Sequence, residues 1–192
     1  MAHFLIRPAF WFAVIWLGWL ISWIAAAFWS DRNEKRLFTW EVLAYRVLIV
    51  IGVILSLHTT ARLLGARRLW HVGYAGAYLL AGLTLGGILF AWWGRIHLGR
   101  LWSSSITRKK DHHVVDTGPY RFVRHPIYTG ILAAVLTTTI AQATPTAILG
   151  WLAILWALWL KARIEERFLT VELEPQAYAS YRRRVPMLLP FG

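Results

Sequence analysis

The chain has 192 residues, 58% of them hydrophobic and only 16% charged, with 13 tryptophans and no cysteine. A soluble domain carries about a quarter charged residues, and recurrent apolar runs near the bilayer-spanning length instead indicate one compact integral membrane domain, 1–192. The absent cysteine excludes disulfides, thiolate metal sites and cysteine nucleophiles, and the formal charge of +12 is no nucleic-acid signal, because the basic residues sit in short connections between apolar runs.

Five membrane spans are expected, all helical. The first, Ala9–Phe28 (AFWFAVIWLGWLISWIAAAF), is almost free of polar groups. It is too long and too tryptophan-rich for a secretory signal, and no small-residue cleavage site follows. The second, Val42–Leu64, is apolar apart from Arg46, His58, Thr59, Thr60 and Arg62. The third, Gly73–Trp93, carries Gly82, Gly86 and Gly87, small residues that let a neighbouring helix approach closely. Ile127–Ala143 and Ala147–Leu160 follow, joined by a Thr-Pro-Thr turn. The last is short, and snorkelling by Lys161 and Arg163 is expected to extend it.

A helical hairpin of the last two spans puts the 94–126 loop and the C-terminal tail on one side. With the 31–41 connection there too, that side holds 16 of the 21 Lys and Arg residues. The positive-inside rule then makes this side cytoplasmic and the N-terminus external. The Arg182-Arg183-Arg184 run is suited to anionic lipid headgroups. Most tryptophans read as an interfacial belt, while Trp92, Trp93 and Trp102 are candidates for lining a lipid pocket.

Two stretches on the expected cytoplasmic side carry the unusual chemistry. In DHHVVDTGPYRFVRHPIYTG, Asp111 to Gly130, Gly118-Pro119 signals a turn. Pro126 suits the first turn of the next helix and keeps His125 out of it. Arg124 and His125 thus precede a helix N-terminus that favours a negatively charged ligand group. Tyr128 lies in the first turn, and Gly130 permits close approach of a ligand or a helix. His112, His113 and His125 do not form a metal-ligand pattern, so no metal is expected. The second stretch is KARIEERFLTVELEPQAYASYRRRVPMLLPF, which puts Glu165 and Glu166 at the end of the fifth span in a chain with nine acids. Carboxylates at a membrane boundary are costly without partners or a role. They serve either as a salt-bridged helix end, Lys161–Glu165 and Arg163–Glu166, or as groups that bind a cation or a ligand's polar end.

Together these stretches resemble the isoprenylcysteine carboxyl methyltransferase family and its prokaryotic members. The matching segments are His113-Val-Val-Asp-Thr-Gly118-Pro-Tyr120, Arg124-His125-Pro126-Ile-Tyr128-Thr-Gly130, Glu165-Glu166-Arg-Phe-Leu169, Tyr178-Ala-Ser-Tyr181 and Val185-Pro186 with Pro190-Phe191. They are in family order and cover about residues 95–192. Val114 stands where the family has Leu, and the Phe-Gly usual before the tyrosine pair is missing.

The resemblance implies a five-span helical membrane methyltransferase with three N-terminal spans in 1–93 and the catalytic region in 94–192. It would use S-adenosyl-L-methionine, release S-adenosyl-L-homocysteine and act on a lipophilic acceptor, a prenylated cysteine carboxylate or another hydrophobic thiol, carboxylate or amine. It places His113, Val114, Val115, Gly118, Tyr120, His125, Pro126, Tyr128, Glu165 and Glu166 around the cofactor. Arg124, Arg163 and Glu166 are the implied catalytic set. Two other classes share these features: an NADPH-dependent sterol-type membrane reductase, which has a similar Arg-His-Pro segment, and a non-enzymatic membrane accessory protein.

Overall fold

The computed structural model describes residues 7–27, 35–36, 39–99, 102, 107–108, 115–172 and 175–190. The architecture is all-α. The helices are α1 (Pro8–Ala27), α2 (Trp40–Ser56), α3 (His58–Leu63), α4 (Tyr74–Leu98), α5 (Pro126–Gln142), α6 (Pro145–Glu172) and α7 (Pro175–Arg184), with a one-turn 3-10 helix at Gly118–Arg121 between α4 and α5. A two-residue antiparallel pairing, Lys35–Arg36 with Thr107–Arg108, ties the 28–39 and 99–114 connections together.

Three helices, α1, α4 and α6, are long and apolar enough to cross a membrane. The 17-residue α5 is apolar but shorter, and the 17-residue α2 packs along α6. Contacts at the helix ends show that the five long helices alternate in direction. At one end, Arg95 of α4 donates to Ala26 of α1, Glu41 of α2 pairs with Arg167 of α6, and Gly94 of α4 meets Ile127 of α5. At the other, Gln142 of α5 donates to Ser56 of α2, and the Trp70 indole donates to Ile140. The N-terminus of α2, residues 115–125 and the tail therefore share one end.

Helix boundaries follow local chemistry. The Thr39 hydroxyl accepts from Val42 N–H and caps α2, with Glu41 in the first turn. The expected second span breaks at Leu57, which is extended (φ −72°, ψ 133°). The Thr60 hydroxyl and the Gln142 amide donate to the Ile54 and Ser56 carbonyls near the break, supplying partners that lipid cannot. Ala143 closes α5 in the left-handed conformation (φ 57°). Helix α6 runs well past Leu160, where the sequence suggested an end. Its 28 residues span about 42 Å at 1.5 Å each, more than the ~30 Å hydrocarbon layer. The helix is therefore long enough to span without snorkelling side chains, and Glu165 and Glu166 fall in its last turns. Lys161 turns inward and is 9% exposed. Arg163 is exposed, with its guanidinium over the Trp159 ring at 4.9 Å.

Two tight helix pairs frame the molecule. In α4–α5 the close approach falls at Gly87 and Gly130, where a Cβ on Gly87 would lie 2.7 Å from the Gly130 carbonyl. Gly82 and Gly86, expected to serve this purpose, face open space. In α2–α6 a Cβ on Gly52 would lie 2.8 Å from the Gly150 carbonyl. Val42, Tyr45, Ala157 and Ile164 fill the core between α2 and α6. Leu132, Val135, Ile154 and Leu158 join α5 to α6, with Trp16 of α1 packed against them. Trp23 packs on Trp92 and Trp102, and Arg95 stacks over Trp102. That part of the expected lipid-pocket lining is internal packing, whereas Trp93 is 44% exposed and meets Phe122.

Candidate active site

The site forms where the start of α5, the end of α6 and the C-terminal tail converge. Pro126 is the first residue of α5 and His125 its N-cap. Backbone N–H groups of Arg124 and His125 donate to the Pro186 and Met187 carbonyls at 2.9 and 3.1 Å. The Thr129 hydroxyl donates to the Leu188 carbonyl at 2.7 Å. The N–H groups just before the helix are thus taken by the carbonyls of the tail.

Glu166 is the electrostatic centre. It is 2% exposed and accepts from Arg124 Nε at 2.7 Å. His125 Nε2 lies 3.3 Å from the same oxygen, and Arg182 Nε lies 3.4 Å from the other. Three cationic or ionisable partners offset the desolvation of a buried carboxylate. The Arg124 guanidinium also donates to the Arg182 carbonyl at 3.0 Å and, in a very short contact, to that of Val185. One arginine therefore clamps α6 and the tail to the loop. Arg182 belongs to this network and Arg184 pairs with Asp116 at 3.3 Å, which gives two of the three tail arginines partners within the chain.

Glu165 differs. Its side chain is 18% exposed against 3% for Glu166. The Tyr128 hydroxyl donates to its two oxygens at 2.7 and 2.6 Å. Lys161 Nζ lies 3.6 Å away and His125 Nδ1 3.7 Å away. The His125 and Tyr128 rings stack at 5.2 Å and 5°. The expected Lys161–Glu165 pair forms, whereas the partners of Glu166 come from the two residues before α5 and from the tail rather than from Arg163.

The preceding loop is braced from α4. Gly118 takes φ +57°, and a Cβ there would lie 2.6 Å from the His97 ring, so glycine is required on both counts. His97 meets the Thr117 hydroxyl at 2.8 Å and stacks against Tyr120. The Tyr120 hydroxyl donates to the Gly94 carbonyl at 3.3 Å, and the Tyr181 hydroxyl donates to the Tyr120 carbonyl at 2.8 Å. Burial pushes the hydroxyls of Tyr120, Tyr178 and Tyr181 well above the ordinary tyrosine range, so each remains a neutral donor. Tyr178, Tyr181 and Val185 pack on Leu169, which joins the tyrosine pair to the end of α6.

Of the residues singled out from the sequence, Arg124, His125, Pro126, Tyr128, Glu165 and Glu166 come together. Gly118 and Tyr120 form the adjoining turn, Val115 precedes it, and His113 and Val114 lie outside the described residues. Arg163 is not brought into the cluster. Sequence reasoning missed His97, Thr129 and the site role of Arg182. Only His97 had a visible signal, as a histidine just beyond the expected third span, in what is the last turn of α4. Among the described residues no group of three His, Asp or Glu side chains is arranged to hold a metal.

Residues 80–171 match the model of the isoprenylcysteine carboxyl methyltransferase (ICMT) family. A probable protein-S-isoprenylcysteine O-methyltransferase of Oryza sativa subsp. indica is 25% identical over 173 residues, covering 88% of this chain and 87% of the relative. The protein-S-isoprenylcysteine O-methyltransferase of Saccharomyces cerevisiae is 30% identical over 48% of this chain and 40% of its own length. The cobalt-zinc-cadmium resistance protein CzcN of Cupriavidus metallidurans is 36% identical over 48% of this chain and 43% of its own. The matched region contains residues 115–125, α5 and both glutamates, so the part of the chain that builds the site is the part similar to the isoprenylcysteine carboxyl methyltransferase family.

Proposed function

We propose that this membrane protein transfers the methyl group of S-adenosyl-L-methionine to the carboxylate of an isoprenylcysteine, at the membrane face where loop and tail meet. The observation that carries the proposal is Glu165: a partly exposed carboxylate beside the stacked His125 and Tyr128 rings, inside the matched region. A carboxylate and aromatic faces suit a donor that bears ammonium and sulfonium charges. The relatives' names supply the acceptor class.

The donor would supply an activated methyl group, so the protein has alignment and water exclusion to provide rather than acid–base chemistry. Glu165, His125, Tyr128, Gly118 and Tyr120 form the proposed donor pocket, joined by Val115, Pro126 and the preceding His113 and Val114. Glu166 and Arg124 hold the pocket's two walls together. Arg163, exposed over Trp159, is left out of this set. The site faces the cytoplasm in this proposal, because that is where a water-soluble donor is made and where the basic loops are retained.

Titration calorimetry of the detergent-purified protein with S-adenosyl-L-homocysteine tests the donor assignment. Saturable micromolar binding is expected for the parent, with at least tenfold loss in Glu165→Ala and less than twofold change in Arg163→Ala. Absent binding by folded parent protein, or stabilisation by NADPH instead, overturns it.

A further inference from the structure

Lys161 lies one helical turn from Glu165 on the membrane side of the ionic cluster. Its side chain is 11% exposed, and Nζ is 3.6 Å from Glu165 Oε1. The ammonium faces the Tyr128 ring at 5.1 Å and the Tyr45 ring at 5.9 Å. Apolar clusters flank it: Tyr45, Ala157 and Leu160 on one side, Leu158 and Tyr128 on the other. A lysine this close to a lipid boundary ordinarily extends its ammonium to water. This one points to the place where the apolar core ends and the carboxylates begin.

The two ion pairs of the site are unequal. Glu166 is held by Arg124 at 2.7 Å, with further contacts from His125 and Arg182. Glu165 receives its short bonds from Tyr128, and Lys161 stands farther off at 3.6 Å. A carboxylate arriving beside Lys161 would compete with a 3.6 Å contact to Glu165 and leave the short Tyr128–Glu165 bonds in place. An ammonium offers three donors that rotate freely, whereas a guanidinium presents a fixed fork.

We propose that Lys161 recognises the carboxylate of the membrane-borne acceptor and sets the enzyme's preference for acid over ester; this rests on the methyltransferase function proposed above. In the transfer, a carboxylate oxygen bonds to the methyl carbon as the methyl–sulfur bond breaks, and the electron pair stays with sulfur. No proton moves. A carboxylate and a sulfonium become a neutral ester and a neutral thioether, so the product loses its attraction to Lys161 and Glu165 regains the ammonium. Lys161 is then a specificity residue that captures the substrate and lets the ester go.

The test uses the full chain in lipid nanodiscs with N-acetyl-S-farnesylcysteine and its methyl ester as probes. Binding of each is measured for the parent, Lys161→Met and Lys161→Arg, with S-adenosyl-L-homocysteine affinity as the check on pocket integrity. The parent is expected to bind acid at least tenfold more tightly than ester. Lys161→Met should reduce that preference below threefold with ester and S-adenosyl-L-homocysteine affinities within twofold of the parent, and Lys161→Arg should restore part of it. Equal weakening of acid and ester in Lys161→Met marks a structural role and overturns the proposal, as does an unchanged preference. If Lys161→Met does not fold, an acid preference below threefold in the parent or in a folded Lys161→Arg overturns it. A parent that binds neither probe defeats the acceptor assignment itself, and this proposal with it.

Discussion

Replacing Glu166 with alanine removes the anion at the centre of a buried ionic clamp. The carboxylate is 3% exposed and Arg124 is 10% exposed, so the deletion leaves a guanidinium in a place that water reaches poorly. Loss of one partner from a buried ion pair costs about 3–5 kcal/mol. Arg124 retains the Arg182 and Val185 carbonyls as acceptors, and Arg182 is 42% exposed. Both facts place the cost near the lower end, about 3 kcal/mol. For a chain of this size each kcal/mol shifts Tm by about 2–4 °C, so Glu166→Ala should lower Tm by about 6–12 °C. Scanning fluorimetry in detergent, with tryptophan emission as the signal, measures this directly. Arg124→Ala should combine with Glu166→Ala less than additively, with a coupling of about 1.5–3 kcal/mol, because the stranded charge is counted once. A Tm within about 2 °C of the parent, or full additivity, would refute the clamp.

Three further outcomes follow from the same geometry. Gly130→Ala, whose Cβ would press on the Gly87 carbonyl, should destabilise the fold by about 1–3 kcal/mol, while Gly82→Ala, with nothing within 4 Å, should be neutral in the same thermal assay. Gly118→Ala meets both a positive φ and the His97 ring, so it should cost at least about 1–2 kcal/mol and weaken S-adenosyl-L-homocysteine binding by calorimetry. Tyr120, Tyr178 and Tyr181 have hydroxyl pKa values raised by burial. Raised groups contribute stability that is complete below the unfolded value near 10 and is lost as pH climbs toward the folded values. Tm should hold between pH 7 and 9 and fall above about pH 10, with a shallower fall in Tyr181→Phe; a flat profile to pH 11 contradicts this.

The parts of this fold legible in the sequence were those fixed by local chemistry. Apolar run length located the five long helices, Pro126 marked the start of α5, and Gly118-Pro119 marked the turn. The loop and tail motifs converge as their resemblance implied. What stayed illegible depends on which helix faces which. Gly82, Gly86 and Gly87 look equivalent along the chain, and only packing against α5 selects Gly87 among them. Arg163 and Lys161 differ by two positions, about 200° around a helix, so one is exposed over Trp159 and the other turns in toward Glu165. Nor does adjacency separate Glu165 from Glu166; their difference arises from the loop and the tail, which bring Arg124 and Arg182 to one of them, and from α5, which brings Tyr128 to the other. The break at Leu57 carries no proline or glycine, and its partners, Thr60 and Gln142, only become visible once α2, α3 and α5 are assembled.

The central claim is methyl transfer to a lipidated carboxylate. Purified protein in nanodiscs, given S-adenosyl-L-methionine labelled in the methyl group and N-acetyl-S-farnesylcysteine, should yield base-labile, volatile label in proportion to time and enzyme. That label should be absent with the ester as acceptor and reduced at least tenfold in Glu165→Ala. Folded protein that binds S-adenosyl-L-homocysteine yet forms no labelled ester would contradict the account.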